Sequence, residues 1–352
     1  TKQKDDRTWC FWGDQETACT DIAKYAWENM TIRSESFHKK INLTKDIKPG
    51  WKYWMVSSLD FYNHARDRIK QAQNVDFILG EIEKVESNKE KASLWVNGEE
   101  YQADWLFNSI IKPGDIVIDP KKHHDLKQHF VGWQIESKQE VFDPETVTMF
   151  DFDTPQPDGL HFFYILPFSK SEALIEYTIF SHQLLTQADY EEKLQEYIES
   201  KLAIHSYTIV SKERGVIPMT DYPFQRKASE RVMNIGTLGG LVKPSTGYAF
   251  KRMQRDAKAI VESLEKYGNP FQIKKSSFRY KIYDSLLLQI LYRQSAIMKT
   301  IFTQLFQNNP IARIFRFLDE DATVIEDLIL MASVSPTPFL KAIIRLYILR
   351  KI

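Results

Sequence analysis

Residues 131–180 constrain the fold more than any other part of the sequence, because they form one apolar segment after another. The segments read VGWQIES, TVTMFDF, HFFYILPF and ALIEYTIF, and they are rich in aromatic and β-branched residues. Turn-forming residues such as Asp, Pro, Gly and Ser separate them. This succession predicts a mixed or antiparallel sheet with one apolar face.

Helices and a small meander surround this predicted sheet. Asn97-Gly98 predicts a tight hairpin turn within a three-stranded meander built from VDFILGEIEKVE, KASLWV and EEYQADWLFNSI. Thr186 and Asp189 have capping-box spacing at the start of one helix. Apolar periodicity predicts further helices in SSLDFYNHARDRIK, after Phe250, and at 275–307, 310–317, 322–333 and 338–350.

Composition excludes several functional classes. Lys plus Arg and Asp plus Glu both number 47, so no net charge points to nucleic acid. The cysteines, Cys10 and Cys19, form no CxxC motif, and His123, His124 and His161 lack partners at metal-ligand spacing, so we predict no metal site. The 22 Phe, 16 Tyr and 8 Trp suit a large apolar ligand, although a thick core would also account for them.

Glu176 is a carboxylate in the centre of the apolar segment ALIEYTIF. On a strand it shares one face with Leu174 and Thr178. If that face meets solvent, Glu176 is an ordinary surface residue. If the face lines a pocket, loss of hydration raises its pKa and keeps it protonated as a general acid.

The segment GTLGGLVKPSTGYAF joins a glycine-rich turn to a helix. Glycine permits close approach of a ligand to the backbone, and a helix N-terminus offers free N–H groups. We therefore expect a phosphate or flavin contact here, the alternative being a tight connection that needs glycine for packing.

Two other segments admit two readings each. In DRTWCFW, Arg7 and the neighbouring aromatic residues suit a base, a sugar or a flat apolar ligand, or else a core segment. In RFLDEDATVIEDL, we expect Asp321 to cap the following helix rather than take part in catalysis.

The C-terminal segment PFLKAIIRLYILRK is apolar and carries Lys341, Arg345, Arg350 and Lys351 with no acidic residue. It suits the membrane interface, attracted by anionic lipid, or a docked core helix. The apolar stretch 281–307 is interrupted by Arg293 and Lys299, so we expect no transmembrane helix.

Taken in chain order, several of these segments resemble the bacterial lycopene cyclases, flavin-dependent carotenoid enzymes related to the plant lycopene β-cyclases. The resemblance rests on DRTWCFW, FVGWQIES, FDPETVTMFDFDTPQPDG, FFYILPFSKSEALIEYTIFS, GVIPMTD, GTLGGLVKPSTGYAF and RFLDED. It extends from residue 6 to about residue 340.

The resemblance implies an α/β (α+β) architecture, that of a two-lobed FAD/NAD(P)-binding flavoprotein of the hydroxylase type. It further implies an antiparallel or mixed sheet in the substrate domain and a helical C-terminal part. The expected ranges are 1–25, 55–112 and 205–266 for the flavin lobe, 26–54 and 113–204 for the substrate lobe, and 267–352 for the helical part, a candidate membrane-contacting region.

The resemblance also implies roles for individual residues. Glu176 matches the family's essential acid; plant enzymes have two adjacent acids there, whereas Tyr177 follows here, so Glu176 acts alone or with a partner distant in sequence. Asn108 and Ser109 end the strand near the flavin diphosphate, and Arg7 is a further cofactor-binding candidate. The expected flavin-contacting residues of the glycine-rich segment are Gly236, Thr237, Gly239, Gly240, Pro244, Ser245, Thr246, Gly247 and Tyr248.

One feature departs from the family pattern. The family begins with a strand, a GxGxxG turn and a helix that bind the FAD diphosphate, and this sequence, which starts at Thr1, has no such motif. We therefore expect that the N-terminal strand–turn–helix has been removed and that this polypeptide binds FAD poorly or not at all.

The implied reaction closes the linear ends of lycopene into β-rings, giving γ-carotene and then β-carotene with no net redox change. A protonated Glu176 donates the proton, reduced FAD stabilises the cation, and NAD(P)H is the reductant. The expected partners are lycopene, other linear carotenoids and the cytoplasmic side of a membrane, to which the protein binds peripherally. A flavin monooxygenase or reductase acting on isoprenoids and a non-catalytic carotenoid binder remain alternatives.

Overall fold

The computed structural model describes residue 5 and residues 7–112, 114, 116–274 and 276–349. The strands, named β1 to β16 in chain order, are Thr8–Gly13, Tyr25–Trp27, Asn29–Ser34, Phe37–Asn42, Lys52–Ser57, Ile82–Ser87, Ala92–Val96, Glu99–Ala103, Leu106–Asn108, Leu126–Ser137, Thr146–Asp151, Leu160–Pro167, Glu172–Ser181, Tyr207–Met219, Lys227–Ser229 and Val232–Asn234. The α-helices, named α1 to α9, are Leu43–Asp46, Ser58–Gln71, Gln187–Glu196, Phe250–Tyr267, Phe278–Gln294, Met298–Asn308, Ile311–Leu318, Val324–Ala332 and Pro336–Ile343.

A seven-stranded sheet forms the centre of the fold, in the order β14-β10-β13-β12-β11-β3-β4. Its neighbours pair antiparallel except β11 and β3, which are parallel. The four strands β10 to β13 come from the region 126–181 and lie side by side. This is the mixed sheet that the run of apolar segments predicts.

The two faces of this sheet are covered differently, and strand β13 shows why. Ala173, Ile175, Tyr177 and Ile179 alternate along β13 and pack on one face against Tyr190 and Leu194 of α3. The intervening Leu174 and Phe180 belong to the core on the other face, with residues of α5 to α8. Residues alternate between the two faces along a strand, so Glu176, which lies between Leu174 and Phe180, is on the face covered by α5 to α8.

Three smaller sheets complete the fold. β1, β5 and β2 form one, β15, β16 and β9 a second, and β6, β7 and β8 the expected meander. Asn97 and Gly98 have φ values of 51° and 84° between β7 and β8. Positive φ at both positions fits a type I′ hairpin turn, so the predicted turn is confirmed.

The expected division into lobes stays a prediction, but one expected lobe boundary separates two strands that pair with each other. We assigned residues 205–266 to the flavin lobe, whereas β14 pairs along its length with β10 of the large sheet. Residues 207–219 therefore belong structurally to the sheet of the substrate lobe.

The helix caps confirm one prediction and correct another. Thr186 and Asp189 form the expected capping box at α3. At α8, however, Thr323 is the N-cap and forms a capping box with Glu326. Asp321 is not the cap, because its carboxylate accepts a hydrogen bond from Arg255 at 2.9 Å instead.

The region 275–307 is helical as expected, but it forms two α-helices and not one. Helix α5 ends at Gln294, whose φ and ψ of −143° and 45° interrupt the helical hydrogen bonds before a short 3-10 turn and α6. The bend allows Met298, Ile301 and Phe302 to reach the core. Of the basic C-terminal residues, Arg350 and Lys351 lie outside the described residues.

Among the described helices, none alone has the length and hydropathy to cross a membrane. Val324–Ala332 and Pro336–Ile348 satisfy both criteria only as a pair, and they are bent by 113° relative to each other.

Candidate active site

A row of four residues crosses the centre of the large sheet. Tyr164 on β12 lies opposite Glu176 on β13, Glu176 lies opposite Gly132 on β10, and Gly132 lies opposite Glu213 on β14. Directly paired residues of neighbouring strands project to the same face of a sheet. Tyr164, Glu176 and Glu213 consequently point into the same space.

That space is a cavity of about 880 Å³ between the sheet, the short strand β1 and helices α4 to α9. Its walls are mainly apolar and rich in aromatic rings. The aromatic lining includes Trp9, Phe130, Phe150, Phe162, Phe180 and Phe302. A cavity of this size and character suits a large apolar ligand.

Glu176 is half-buried, and it lies in the wall of the cavity. Loss of hydration raises the pKa of its carboxyl well above the ordinary value, and the neighbouring charge of Glu213 raises it further. Of the two interpretations left open by the sequence, the structure supports the pocket. The raised pKa favours the protonated, neutral form of the Glu176 carboxyl.

Glu213 is the carboxylate that sequence reasoning missed. Its Oε2 accepts a hydrogen bond of 2.9 Å from Oγ1 of Thr8 on β1. Its Oε1 is buried without a hydrogen-bond partner when both carboxyls are ionised, and its side chain lies within hydrogen-bonding distance of the Glu176 side chain. In the sequence, alternation along the strand indicates only that Glu213 shares a face with Gly215 and Ile217. Its proximity to Glu176 depends on the order of the strands in the sheet.

Two tyrosines and a cysteine lie beside the carboxyls. Tyr164 donates a hydrogen bond of 2.9 Å to Oη of Tyr53 on β5. Burial raises the pKa of the Cys10 thiol, and the charge of Glu213 adds to the rise. Cys10 is therefore a neutral thiol and not an activated nucleophile.

The glycine-rich segment meets the cavity at its C-terminal half. Of the predicted cofactor residues, those that line the cavity are Arg7, Thr237, Ser245, Thr246, Gly247 and Tyr248. At Gly247, φ is +70° and a Cβ would lie 2.2 Å from Oε1 of Gln128, so only glycine fits there.

The remaining predicted residues lie away from the cavity lining, close to the ends of β9 and β16. Ile235 donates its N–H to the carbonyl of Asn108 at 2.9 Å, and a Cβ on Gly236 would lie 3.9 Å from that of Ser109. Packing accounts for two other glycines, since a Cβ would lie 2.5 Å from a carbonyl at Gly239 and 3.0 Å from Phe224 at Gly240. Pro244 lies in the turn before Ser245. The binding roles of these residues stay predictions.

The residues around Thr246 present unpaired polar groups that suit the polar edge of a planar cofactor. Oγ1 of Thr246 and Oε1 of Gln128 are both buried without a hydrogen-bond partner among the described residues. Helix α4 starts directly afterwards at Phe250 with no side-chain cap and no acid in its first turn. Its free N–H groups and positive dipole end therefore remain available to an electron-rich ligand. A flavin ring has the donors and acceptors that such a junction leaves unpaired.

A buried ion cluster fixes this loop to the C-terminal helices, and no local sequence pattern indicates it. Lys243, 1% exposed, lies 3.0 Å from Asp284 of α5 and 3.2 Å from Glu320. Ser245 donates a hydrogen bond of 2.6 Å to Asp284. Burial alone would raise the pKa of Glu320, but the charges of Lys243 and Arg252 outweigh it and lower the pKa.

The acidic block at residues 319–321 is thus a set of ion-pair partners. Asp319 accepts hydrogen bonds from Lys251 at 2.5 Å and from the Trp12 indole at 2.9 Å. Within the described part of the chain, His, Cys, Asp and Glu side chains form no group of three or more suited to a metal ion.

The fold is that of flavoproteins of the hydroxylase type, and it encloses an apolar cavity. The structure resembles that of a triple mutant of the flavin-dependent brominase Bmp2 with a TM-score of 0.55. The two are 13% identical, and the similarity covers 89% of this chain and 83% of the brominase. The expected fold class is confirmed.

The family follows from sequence. The model of the family described as lycopene cyclase protein matches residues 2–344, so the chain belongs to the lycopene cyclase family. It is 32% identical over 111 residues to the chloroplastic lycopene beta cyclase of Arabidopsis thaliana, covering 31% of this chain and 22% of that protein. It is 28% identical over 127 residues to the chloroplastic neoxanthin synthase of Solanum tuberosum, covering 36% and 25%. The chain matches only 21% to 25% of the length of these curated relatives.

Proposed function

We propose that this chain is a lycopene β-cyclase, which closes the linear ends of lycopene into β-rings with Glu176 as the proton donor. The observation that carries the proposal is the position of Glu176, a desolvated carboxyl with raised pKa in the wall of a large aromatic cavity. Family membership supports a carotenoid as the substrate.

Ring closure needs an acid able to protonate an alkene and a lining that tolerates a cation. Glu176 supplies the proton, since its raised pKa favours the protonated carboxyl. The aromatic faces of residues such as Phe162 and Phe180, both in the cavity wall, stabilise positive charge through their quadrupoles. The same apolar wall holds the polyene in a folded conformation.

We propose FAD as the cofactor, with NAD(P)H as its reductant. Thr246, Gln128 and the first turn of α4 would hold the ring edge, because they present unpaired polar groups at the cavity wall. Bound in its reduced form, the flavin would supply a fixed negative charge that favours the cationic transition state.

The substrate would enter from a lipid surface. Leu340 and Ile343 line the cavity and are also 56% and 39% exposed, so the apolar lining continues onto the surface of α9. Besides these two residues, α8, α9 and the π-helical turn Ile344–Ile348 expose further apolar side chains, and we call the whole set the apolar face: Val324, Ile325, Leu328, Ile329, Leu340, Ile343, Ile344, Tyr347, Ile348 and Leu349. We propose that this face binds peripherally to the cytoplasmic side of a membrane.

The test is the substitution Glu176→Gln in a host that accumulates lycopene. The amide keeps the shape of the side chain but cannot supply the proton, so cells should retain lycopene and form no β-rings by pigment chromatography. Glu172→Gln, on the same strand but hydrogen-bonded to Gln134, is the matched control and should leave ring formation intact.

Two results would contradict the proposal. The first is β-carotene formation by the Glu176→Gln protein. The second is consumption of oxygen and NAD(P)H in proportion to product, which indicates a monooxygenase instead.

A further inference from the structure

We propose that Glu213 is a second catalytic carboxylate, which removes the proton that leaves the cyclised cation and returns it to Glu176. The inference rests on the proposed cyclase function and assigns a base to it. It arises from the arrangement of three neighbouring strands.

The two carboxyls belong to strands that are not neighbours. β13 and β14 lie on either side of β10, and Glu176 and Glu213 both pair with Gly132. Any other residue at 132 would fill the space between them, because a Cβ there would lie 2.9 Å from Cγ of Glu176 and 3.2 Å from Cγ of Glu213. Glycine thus leaves the two carboxyls facing each other across the central strand.

The hydrogen bonds around Glu213 leave one oxygen available. Thr8 donates to Oε2 at 2.9 Å, which orients the carboxylate. Oε1 is buried without a hydrogen-bond partner when both carboxyls are ionised, and an unpaired buried carboxylate oxygen is costly. The Glu176 side chain lies within hydrogen-bonding distance of the Glu213 side chain. A proton on Glu176, or one released by a cation in the cavity, would satisfy it.

The reaction then balances without an external acid or base. Glu176 gives its proton to an alkene carbon, and the electron pair of a neighbouring double bond forms the ring C–C bond. Glu213 takes a proton from the carbon next to the resulting cation, and that C–H electron pair becomes the ring double bond. Transfer of the proton from Glu213 to Glu176 restores the starting state with nothing oxidised or reduced.

This scheme requires a proton on Glu176, so the rate of ring formation should fall at alkaline pH as that carboxyl ionises. The other titratable groups that face Glu176 are Tyr164 on β12, Cys10 on β1 and Tyr53 on β5; burial, the largest cause, raises the pKa of each, so all three stay neutral.

The experiment compares Glu213→Gln with Glu213→Asp in purified protein supplied with lycopene in vesicles. Glu213→Gln should lower the rate of ring formation by about 100-fold or more, the usual size of a general-base contribution. It should also move the alkaline fall in rate to lower pH, because the like charge that helps raise the pKa of Glu176 is gone. Glu213→Asp, which keeps a carboxylate, should recover at least part of the rate and return the alkaline fall toward its wild-type pH.

The role of Glu213 is overturned if Glu213→Gln keeps the wild-type rate and pH dependence, or if Glu213→Asp is no more active than Glu213→Gln. A second readout does not depend on cyclisation at all. The infrared band of the protonated Glu176 carboxyl, assigned by its loss in Glu176→Gln, should disappear at lower pH in Glu213→Gln than in wild type. An unchanged titration would disprove the coupling, whereas an intact coupling without ring formation from lycopene would count against the cyclase function alone.

Discussion

Gly132 is the residue on which the arrangement of the two carboxyls depends. A Cβ at this position would lie 2.9 Å from Cγ of Glu176, closer than non-bonded carbon atoms approach in proteins, and a tight 3.2 Å from Cγ of Glu213, so the two side chains would have to move apart. Its backbone is ordinary extended strand between β13 and β14. The requirement for glycine is therefore one of space, not of backbone conformation.

We predict that Gly132→Ala lowers the rate of ring formation by about 100-fold, since displacement of a catalytic group by about 1 Å has effects of that order. Steady-state rates with lycopene in vesicles provide the measurement. Val131→Ala is the control, because Val131 lies on the same strand but packs in the core on the opposite face. Equal loss in both proteins would show that general destabilisation is responsible.

The sequence could predict part of this site and not the rest. Alternation along ALIEYTIF predicts that Glu176 shares a face of the strand with Leu174 and Thr178. Periodicity does not indicate whether that face meets solvent or a cavity. Glu213 is 37 positions away along the chain, and the pair exists only because β10 separates their strands. Strand order results from long-range packing, which local sequence patterns do not encode.

At the scale of elements, the ion cluster joins the glycine-rich loop to α5 and to the end of α7. Lys243 is almost fully buried between Asp284 and Glu320, and Arg252 of α4 also contacts Glu320 at 2.6 Å. Removing one member of a buried ion pair leaves an uncompensated charge. The cluster thus fixes the loop relative to the helices that line the cavity.

We predict that Lys243→Met lowers the free energy of unfolding by about 3 kcal/mol, because two carboxylates lose their buried partner. Denaturant unfolding followed by circular dichroism would measure the change. Lys258→Met is the control, since Lys258 is exposed and lies 4.0 Å from Glu262, and it should change stability by less than about 0.5 kcal/mol. A loss at Lys243 no larger than at Lys258 would contradict a stabilising role for the cluster.

Local sequence patterns predict most helices and strands, but they do not predict all of their first and last residues. The capping box at Thr186 worked because both partners lie within one turn. Asp321 was the wrong cap because Arg255, a residue of α4, binds its carboxylate, and Thr323 takes its place. The break at Gln294 has no Pro or Gly to mark it in the sequence, and it follows from the packing of α6 in the core.

At the scale of the whole molecule, the apolar face and the cavity are continuous through α9. The basic residues described beside that face are Lys341 and Arg345. Apolar side chains with neighbouring cations are typical of proteins that bind anionic lipid surfaces.

We predict that Ile348→Glu lowers the fraction of protein that floats with vesicles of phosphatidylcholine and phosphatidylglycerol by about tenfold, the effect of losing one buried apolar side chain. Ile348 is 70% exposed in the apolar face, so the substitution should leave the fold intact. Val210→Glu adds the same charge to β14, where Val210 is 53% exposed, and should float like wild type. Equal flotation of both variants would rule out this face as the lipid-binding surface.

The cavity also bears on the order in which a substrate with two reactive ends would be processed. Its described carboxyls are Glu176, Glu213 and Asp319, and Asp319 is already neutralised by Lys251. On the proposed function, ring closure would therefore occur at one place, and the two ends of a linear carotenoid would react in turn. The molecule with one ring would have to withdraw and enter again in the reverse direction, so it would leave the acid pair before the second ring is made.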